Sequence, residues 1–170
     1  MINGNDQTLS TGGSSKKVYF NPPQQKVMFT AANKTVFVGG RRLGIAAPWT
    51  LRNVQRMPKS AGAFVGSSFQ QLLTRTLPGT LTALESFGYK RNVHFYVGRR
   101  PPKSAGFPVP YIDPECYDHV ISFYTGSIAH LISQDREGTS NSFTLDWLGM
   151  DEAKLLNFDR LKEETFPANG

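Results

Sequence analysis

Apolar and polar positions fall into short blocks along this chain, and the blocks alternate between strand and helix periods. Residues 1–17 are polar, contain Gly12-Gly13-Ser14-Ser15 and show no apolar period, which predicts a flexible tail ahead of one folded domain over 18–170. Asn21-Pro22-Pro23 marks a turn, and Gln24–Ala32 follows as a short helix. Thr35–Val38 is β-branched and aromatic and predicts a strand, ended by Gly39-Gly40. Ile45–Met57 predicts a helix with Pro48 in its first turn, where a missing N–H is tolerated, and Pro58 stops it. Ala61–Val65 predicts a second strand, ended by Gly66.

Phe69–Phe87 has a helical pattern interrupted at Pro78-Gly79, which predicts two helices, the second closed by Gly88. Asn92–Val97 alternates as a strand, and the Pro- and Gly-rich stretch 99–114 predicts a loop. His119–Tyr124 and Ser127–Ser133 flank Thr125-Gly126 as a hairpin. Phe143–Met150 predicts a strand, and Asp151–Leu161 a helix. Strands alternating with helices imply an α/β sheet, mostly parallel, flanked by helices and with an antiparallel hairpin on one side.

Bulk properties narrow the class only slightly. A chain of 170 residues can bury one sizeable core, and 39% hydrophobic against 19% charged residues excludes a disordered chain. No apolar run reaches the length of a membrane span, and the N-terminus lacks a signal-type apolar segment. Cys116 stands alone, so no disulfide framework forms within the chain. The net charge of +6 is compatible with a polyanion partner and equally with ordinary solubility charge. The adjacent pairs Lys16-Lys17, Arg41-Arg42, Lys90-Arg91 and Arg99-Arg100 tilt it towards a partner, while the acids gather from Asp151 to Glu164.

Two segments carry candidate chemistry. Thr35–Val38 opens onto Gly39-Gly40-Arg41-Arg42-Leu43-Gly44, the glycine-rich half of a phosphate-cradling loop. Glycines let backbone N–H groups turn onto phosphate oxygens, and the helix that follows adds its N-terminal dipole. Arg41 or Arg42 could reach a γ-phosphate. The lysine and hydroxyl residue that complete such a loop are absent, because Ile45-Ala46 follows Gly44. The second segment is the apolar strand ending in Asp151-Glu152. Paired acids there can hold a magnesium shell and orient an attacking water, or can simply favour a helix start. The two segments lie about a hundred residues apart, a usual separation in P-loop motors.

With Phe20-Asn21-Pro22-Pro23-Gln24-Gln25 ahead of the glycine loop, Trp147-Leu148-Gly149-Met150-Asp151-Glu152-Ala153-Lys154 at the strand end, and the arginine-containing loop between them, the chain resembles the N-terminal ATPase domain of a large terminase subunit. That family is the DNA-packaging motor of tailed bacteriophages, and the likeness runs in order from Val18 to Gly170. The resemblance implies a RecA-like sheet, ATP with magnesium, and double-stranded DNA as the translocated substrate. It implies Gln24 or Gln25 near adenine, Gly39, Gly40, Arg41, Arg42, Leu43 and Gly44 around the phosphates, Asp151 on magnesium and Glu152 as catalytic carboxylate. It further implies a homo-oligomeric ring, portal protein and small terminase subunit as partners, and the cytoplasm of an infected bacterial host.

The chain departs from the family in two ways. Lys-Ser/Thr is missing after Gly44, and the chain stops before the family's coupling motif and nuclease domain, so DNA cleavage is not assigned to it. A real deletion, a segment absent from the sequence as it stands, and a loop that was never a P-loop all remain open. Two rivals stand beside the motor: a non-enzymatic basic α/β module binding nucleic acid or protein, and a helicase-type P-loop ATPase. His94, His119 and His130 show no metal-ligand spacing, and Cys116 has no nucleophile motif beyond nearby His119. Arg99-Arg100 and Arg136 are either partner contacts or solvated turns, and Trp49 and Trp147 are expected in the core.

Overall fold

The computed structural model describes residues 7–11, 14–32, 34–37, 44–135, 143–150 and 153–167. It begins with an antiparallel hairpin of β1 (Gln7–Thr11) and β2 (Ser14–Val18), within the stretch expected to be a tail. Helix α1 (Pro22–Phe29) starts on a capping box: Asn21 Oδ1 accepts from the Gln24 N–H, and Gln24 Oε1 accepts from the Asn21 N–H. Phe20, buried just before it, packs edge-on against Phe87 at 5.0 Å. Helix α2 (Ala46–Arg56) matches its expected range.

A five-stranded sheet forms the centre, in the order β4 (Phe95–Val97), β5 (Val120–Phe123), β6 (Ile128–Ser133), β3 (Ala61–Gly66), β7 (Trp147–Met150). β3 pairs in parallel with both β6 and β7, whereas β4–β5 and β5–β6 are antiparallel. The fold is therefore α/β, but the sheet is mixed and not mostly parallel as expected: the hairpin accounts for β5 and β6, and β4 pairs antiparallel with β5 and extends that side. β3 is buried at every position, as a strand covered on both faces must be.

One face of the sheet packs on α1, α2 and the long helical stretch after β3, through Phe64, Trp147, Leu51, Val54, Leu72, Leu84, Phe95 and Ile121. On the other face, Ala63, Val65, Ile132 and Leu145 meet Leu156 and Leu161 of the C-terminal segment. Over the β4–β5 side of that face runs the Pro-rich excursion 99–117, where Phe107 packs edge-on against Tyr96.

Three expectations fail locally. Thr35–Phe37 is not in a strand; Val36 is 88% exposed, and among the described residues no strand pairs with the segment, so its β propensity goes unused. The helix after β3 does not break at Pro78-Gly79. It runs from α3 (Phe69–Gln71) through a π turn (Leu72–Thr76) into α4 (Leu77–Ser86), with Pro78 in the first turn of α4. The wider turn absorbs the missing proline N–H, since the Leu77 N–H already reaches back to the Leu72 carbonyl. No continuous helix covers 153–161 either. A 3₁₀ turn (Ala153–Leu155) precedes α5 (Phe158–Arg160), whose first turn is capped by Asn157 Oδ1.

Candidate functional site: the flanks of the glycine loop and the acid pair

Of the sequence-predicted site residues, Gly39, Gly40, Arg41, Arg42, Leu43, Asp151 and Glu152 lie outside the described residues, as does Arg136. Gln24, Gln25 and Gly44 are described, together with α1, α2 and β7 on either side of those stretches. Gly44 adopts a left-handed φ of 62°, and Gln24 Nε2 donates to its carbonyl at 3.4 Å. A Cβ at Gly44 would stand 3.0 Å from that Nε2, so both the backbone angle and the close approach favour glycine. Gln25 turns away and donates from Nε2 to the Phe20 carbonyl at 3.0 Å. The two glutamines thus do different work: Gln24 joins the start of α1 to the end of the glycine loop, and Gln25 ties down the chain before α1.

α2 begins two residues after Gly44, with Ile45 between them at the N-cap. Ile45 gives it no side-chain cap, so its first N–H groups are not claimed by a capping oxygen. Such a helix start favours an anion. From the first turns of α2, Trp49 reaches β7, and its indole Nε1 donates to the Leu148 carbonyl at 3.1 Å. A Cβ at Gly149 would meet the Phe64 ring at 3.2 Å and Trp49 at 3.7 Å, so glycine there allows helix and strand to approach. Since β3 and β7 are parallel, with Val65 opposite Met150, the carboxyl ends of β3 and β7 lie on the same side of the sheet. That is the side on which open α/β sheets bind ligands.

Two arginines clamp α1 to α2. Arg52 is buried and donates from Nη2 to the Thr30 carbonyl at 3.0 Å and from Nη1 to Asn53 Oδ1 at 3.1 Å. Arg56 Nη1 reaches the same Thr30 carbonyl at 3.2 Å. Thr30 is the C-cap of α1, so cations there meet the negative end of its dipole. Burial, and secondarily the Arg56 charge, lowers the Arg52 pKa. The Arg52 guanidinium also lies 4.9 Å from the Trp49 ring centre. Sequence reasoning missed this clamp and the Trp49 bond. The spacing of Trp49, Arg52 and Arg56 on one helical face was the available signal.

The groups needed for magnesium fit less well. Thr50, the hydroxyl residue nearest the start of α2, is buried and donates to the Ala46 carbonyl at 2.8 Å. Arg52 is committed to Thr30. α2 therefore supplies neither a magnesium hydroxyl nor a replacement for the absent lysine. Beside α1, an open cleft of about 480 Å³ is lined by Lys26, Phe29, Thr30, Thr35 and Phe37. A more enclosed cavity of about 310 Å³ lies elsewhere, between the Pro-rich excursion and β5, away from the motif residues.

Among the described residues no group of three His, Cys, Asp or Glu side chains could hold a metal, and no helix is long and apolar enough to cross a membrane. His130 packs against Phe143 with ring centres 4.3 Å apart, His94 Nδ1 accepts from the Lys90 N–H at 2.9 Å, and His119 stacks on Phe69. Trp147 is buried in the core, as expected, whereas Trp49 is half-buried and bonded to β7. Comparison with protein-family models, with curated proteins and with solved structures gives no match.

Proposed function

We propose that this chain is a nucleotide-binding domain of the P-loop ATPase type, acting in a DNA-packaging motor similar to the large terminase subunits. The observation that carries the reading is a pair of contacts: Gln24 to Gly44, and Trp49 to Leu148. They draw together the glutamine segment, the end of the glycine loop and the strand leading to Asp151-Glu152, three stretches far apart in sequence. The uncapped start of α2 adds an anion-favouring feature at the same place. The parallel β6–β3–β7 core is the part of the sheet that agrees with a RecA-like arrangement.

In this reading the glycine loop and the α2 start cradle the phosphates. Gln24 orients the loop and the base, Asp151 belongs to the magnesium shell, and Glu152 directs the attacking water. Arg41 or Arg42 answers the γ-phosphate. Without lysine and hydroxyl after Gly44, nucleotide is held weakly and hydrolysis falls below detection. The double-stranded DNA substrate, ring assembly, portal and small-subunit partners, and action in the cytoplasm of an infected host follow from the same resemblance.

Titration with a fluorescent ATP analogue tests the proposal. The chain is expected to bind it, and Gln24→Ala to weaken binding by about fivefold, the scale of one neutral hydrogen bond of about 1 kcal/mol. No binding at any accessible concentration contradicts the reading. It would favour a non-enzymatic basic module, the rival supported by the absent lysine and hydroxyl.

A further inference from the structure

We propose that Lys90, Arg91 and Arg99 beside the β4 edge of the sheet, with Lys103 of the Pro-rich excursion, form a contact surface for the phosphate backbone of duplex DNA. The proposal rests on the motor reading above and names where the duplex touches. From Ser86 to Ile112 the chain has five Lys or Arg residues and no Asp or Glu. All five cations are exposed. Arg100 is paired with Asp113, and no ion pair joins the other four to a described carboxylate. Four acids, Glu85, Asp113, Glu115 and Asp118, stand just beyond its two ends, and Asp113 is taken up by Arg100, so the surface depends on the other four cations.

The backbone that presents these cations is pinned. The Lys90 N–H donates to His94 Nδ1 at 2.9 Å, and the Asn92 N–H to the Phe95 carbonyl at 2.8 Å. Arg99 Nη2 donates to Asn92 Oδ1 at 2.6 Å, which brings Arg99 back beside the Lys90–Asn92 turn. Asn92 holds a left-handed φ of 62°, and the Tyr96 hydroxyl donates to its carbonyl at 2.9 Å. The Arg99 guanidinium, held in this way, loses little freedom on meeting a row of phosphates, while Lys90 and Arg91 stand on a hydrogen-bonded turn.

Duplex fits better than single strand. Proteins that hold single strands offer open rings on which bases stack. Between Lys90 and Lys103, Phe95 and Tyr96 are buried, with the Arg99 guanidinium 5.3 Å from the Tyr96 ring centre; the exposed ring of the 86–112 stretch, Tyr111, lies beyond them and has Lys59 Nζ 5.8 Å from its centre. β4 is the edge strand opposite β7, so this contact and the proposed nucleotide site lie at the two ends of one sheet.

The test is anisotropy with a short mixed-sequence duplex at several salt concentrations, on two charge-matched double variants of the full chain. Lys90→Gln with Arg91→Gln should weaken binding at least about tenfold and reduce the log–log salt slope by about 1.8, two phosphate contacts' worth. Lys34→Gln with Lys162→Gln, on exposed residues elsewhere, should change affinity less than about twofold. Equal weakening by both pairs, or no duplex binding by the parent chain, overturns the proposal. So does binding of polyglutamate, but not duplex, that is lost in the Lys90/Arg91 variant. Fluorescent ATP titrated into the same proteins separates the claims: ATP binding without duplex binding rejects this surface alone, and loss of both rejects the motor reading as well.

Discussion

At the scale of single residues, the buried polar groups set how the domain responds to its surroundings. His130 on β6 is mostly enclosed beside Phe143, and burial pushes its pKa down to about 4. Unfolded, the imidazole titrates near 6.5. Between those values the unfolded chain takes up a proton that the folded chain refuses, so stability is fully present above the upper value and falls as pH drops through the window. His94 acts in the same direction: burial first, and then the Lys90 charge, lowers its pKa. Unfolding free energy measured by urea should decline from pH 7 to pH 5, with a limiting slope of about 1.4 kcal/mol per pH unit from His130. His130→Leu should remove one histidine's share; an unchanged slope would show that His130 does not set it. Periodicity indicated that His94 and His130 were structural, because both fall inside strand patterns. The spacing of Trp49, Arg52 and Arg56 marks one helical face, but it does not name the partner, because the Thr30 carbonyl that Arg52 meets lies 22 residues away.

At the scale of elements, strand and helix packing turns on where side chains are absent. Gly62 of β3 lies opposite Trp147 of β7, and a Cβ there would stand 1.9 Å from the indole. Trp147 meets Phe64 edge-on at 5.9 Å, so its ring cannot retreat without disturbing the core under α2. Gly62→Ala should therefore destabilise the domain by about 2–3 kcal/mol, read as a lower urea midpoint with an unchanged m-value. A loss within about 0.5 kcal/mol would mean that the ring moves aside freely. Most element identities were legible: α1, α2, β3, the β5–β6 hairpin and the loop at 99–114 all follow from apolar period and Gly/Pro punctuation. Thr35–Phe37 misled because strand propensity needs a partner strand. Pro78 misled because a proline in the first turn of a helix segment is tolerated when a π turn precedes it.

At the scale of the whole molecule, the sheet divides into a parallel and an antiparallel half. The parallel half, β6–β3–β7, carries α2 and the Trp49 bond towards the acid pair, and the antiparallel half, β4–β5, carries the basic edge and the Pro-rich excursion. Residue pattern foretold an α/β sheet with an antiparallel hairpin. It did not foretell that β4 would extend that hairpin and balance the sheet between parallel and antiparallel pairings, since the partners of a short strand are chosen by tertiary packing. The candidate site was legible as motifs, and the contacts from Gln24 to Gly44 and from Trp49 to β7 supply the reason to read those motifs together. The central claim is that this is an ATPase framework lacking one lysine and one hydroxyl. The most direct measurement is ATP turnover, with magnesium, by the chain as it stands and by a form with Lys-Ser inserted between Gly44 and Ile45. No detectable turnover is expected in the first and measurable turnover in the second, abolished by Glu152→Gln. Turnover absent from both, with the inserted form folded and still unable to bind ATP, would contradict it.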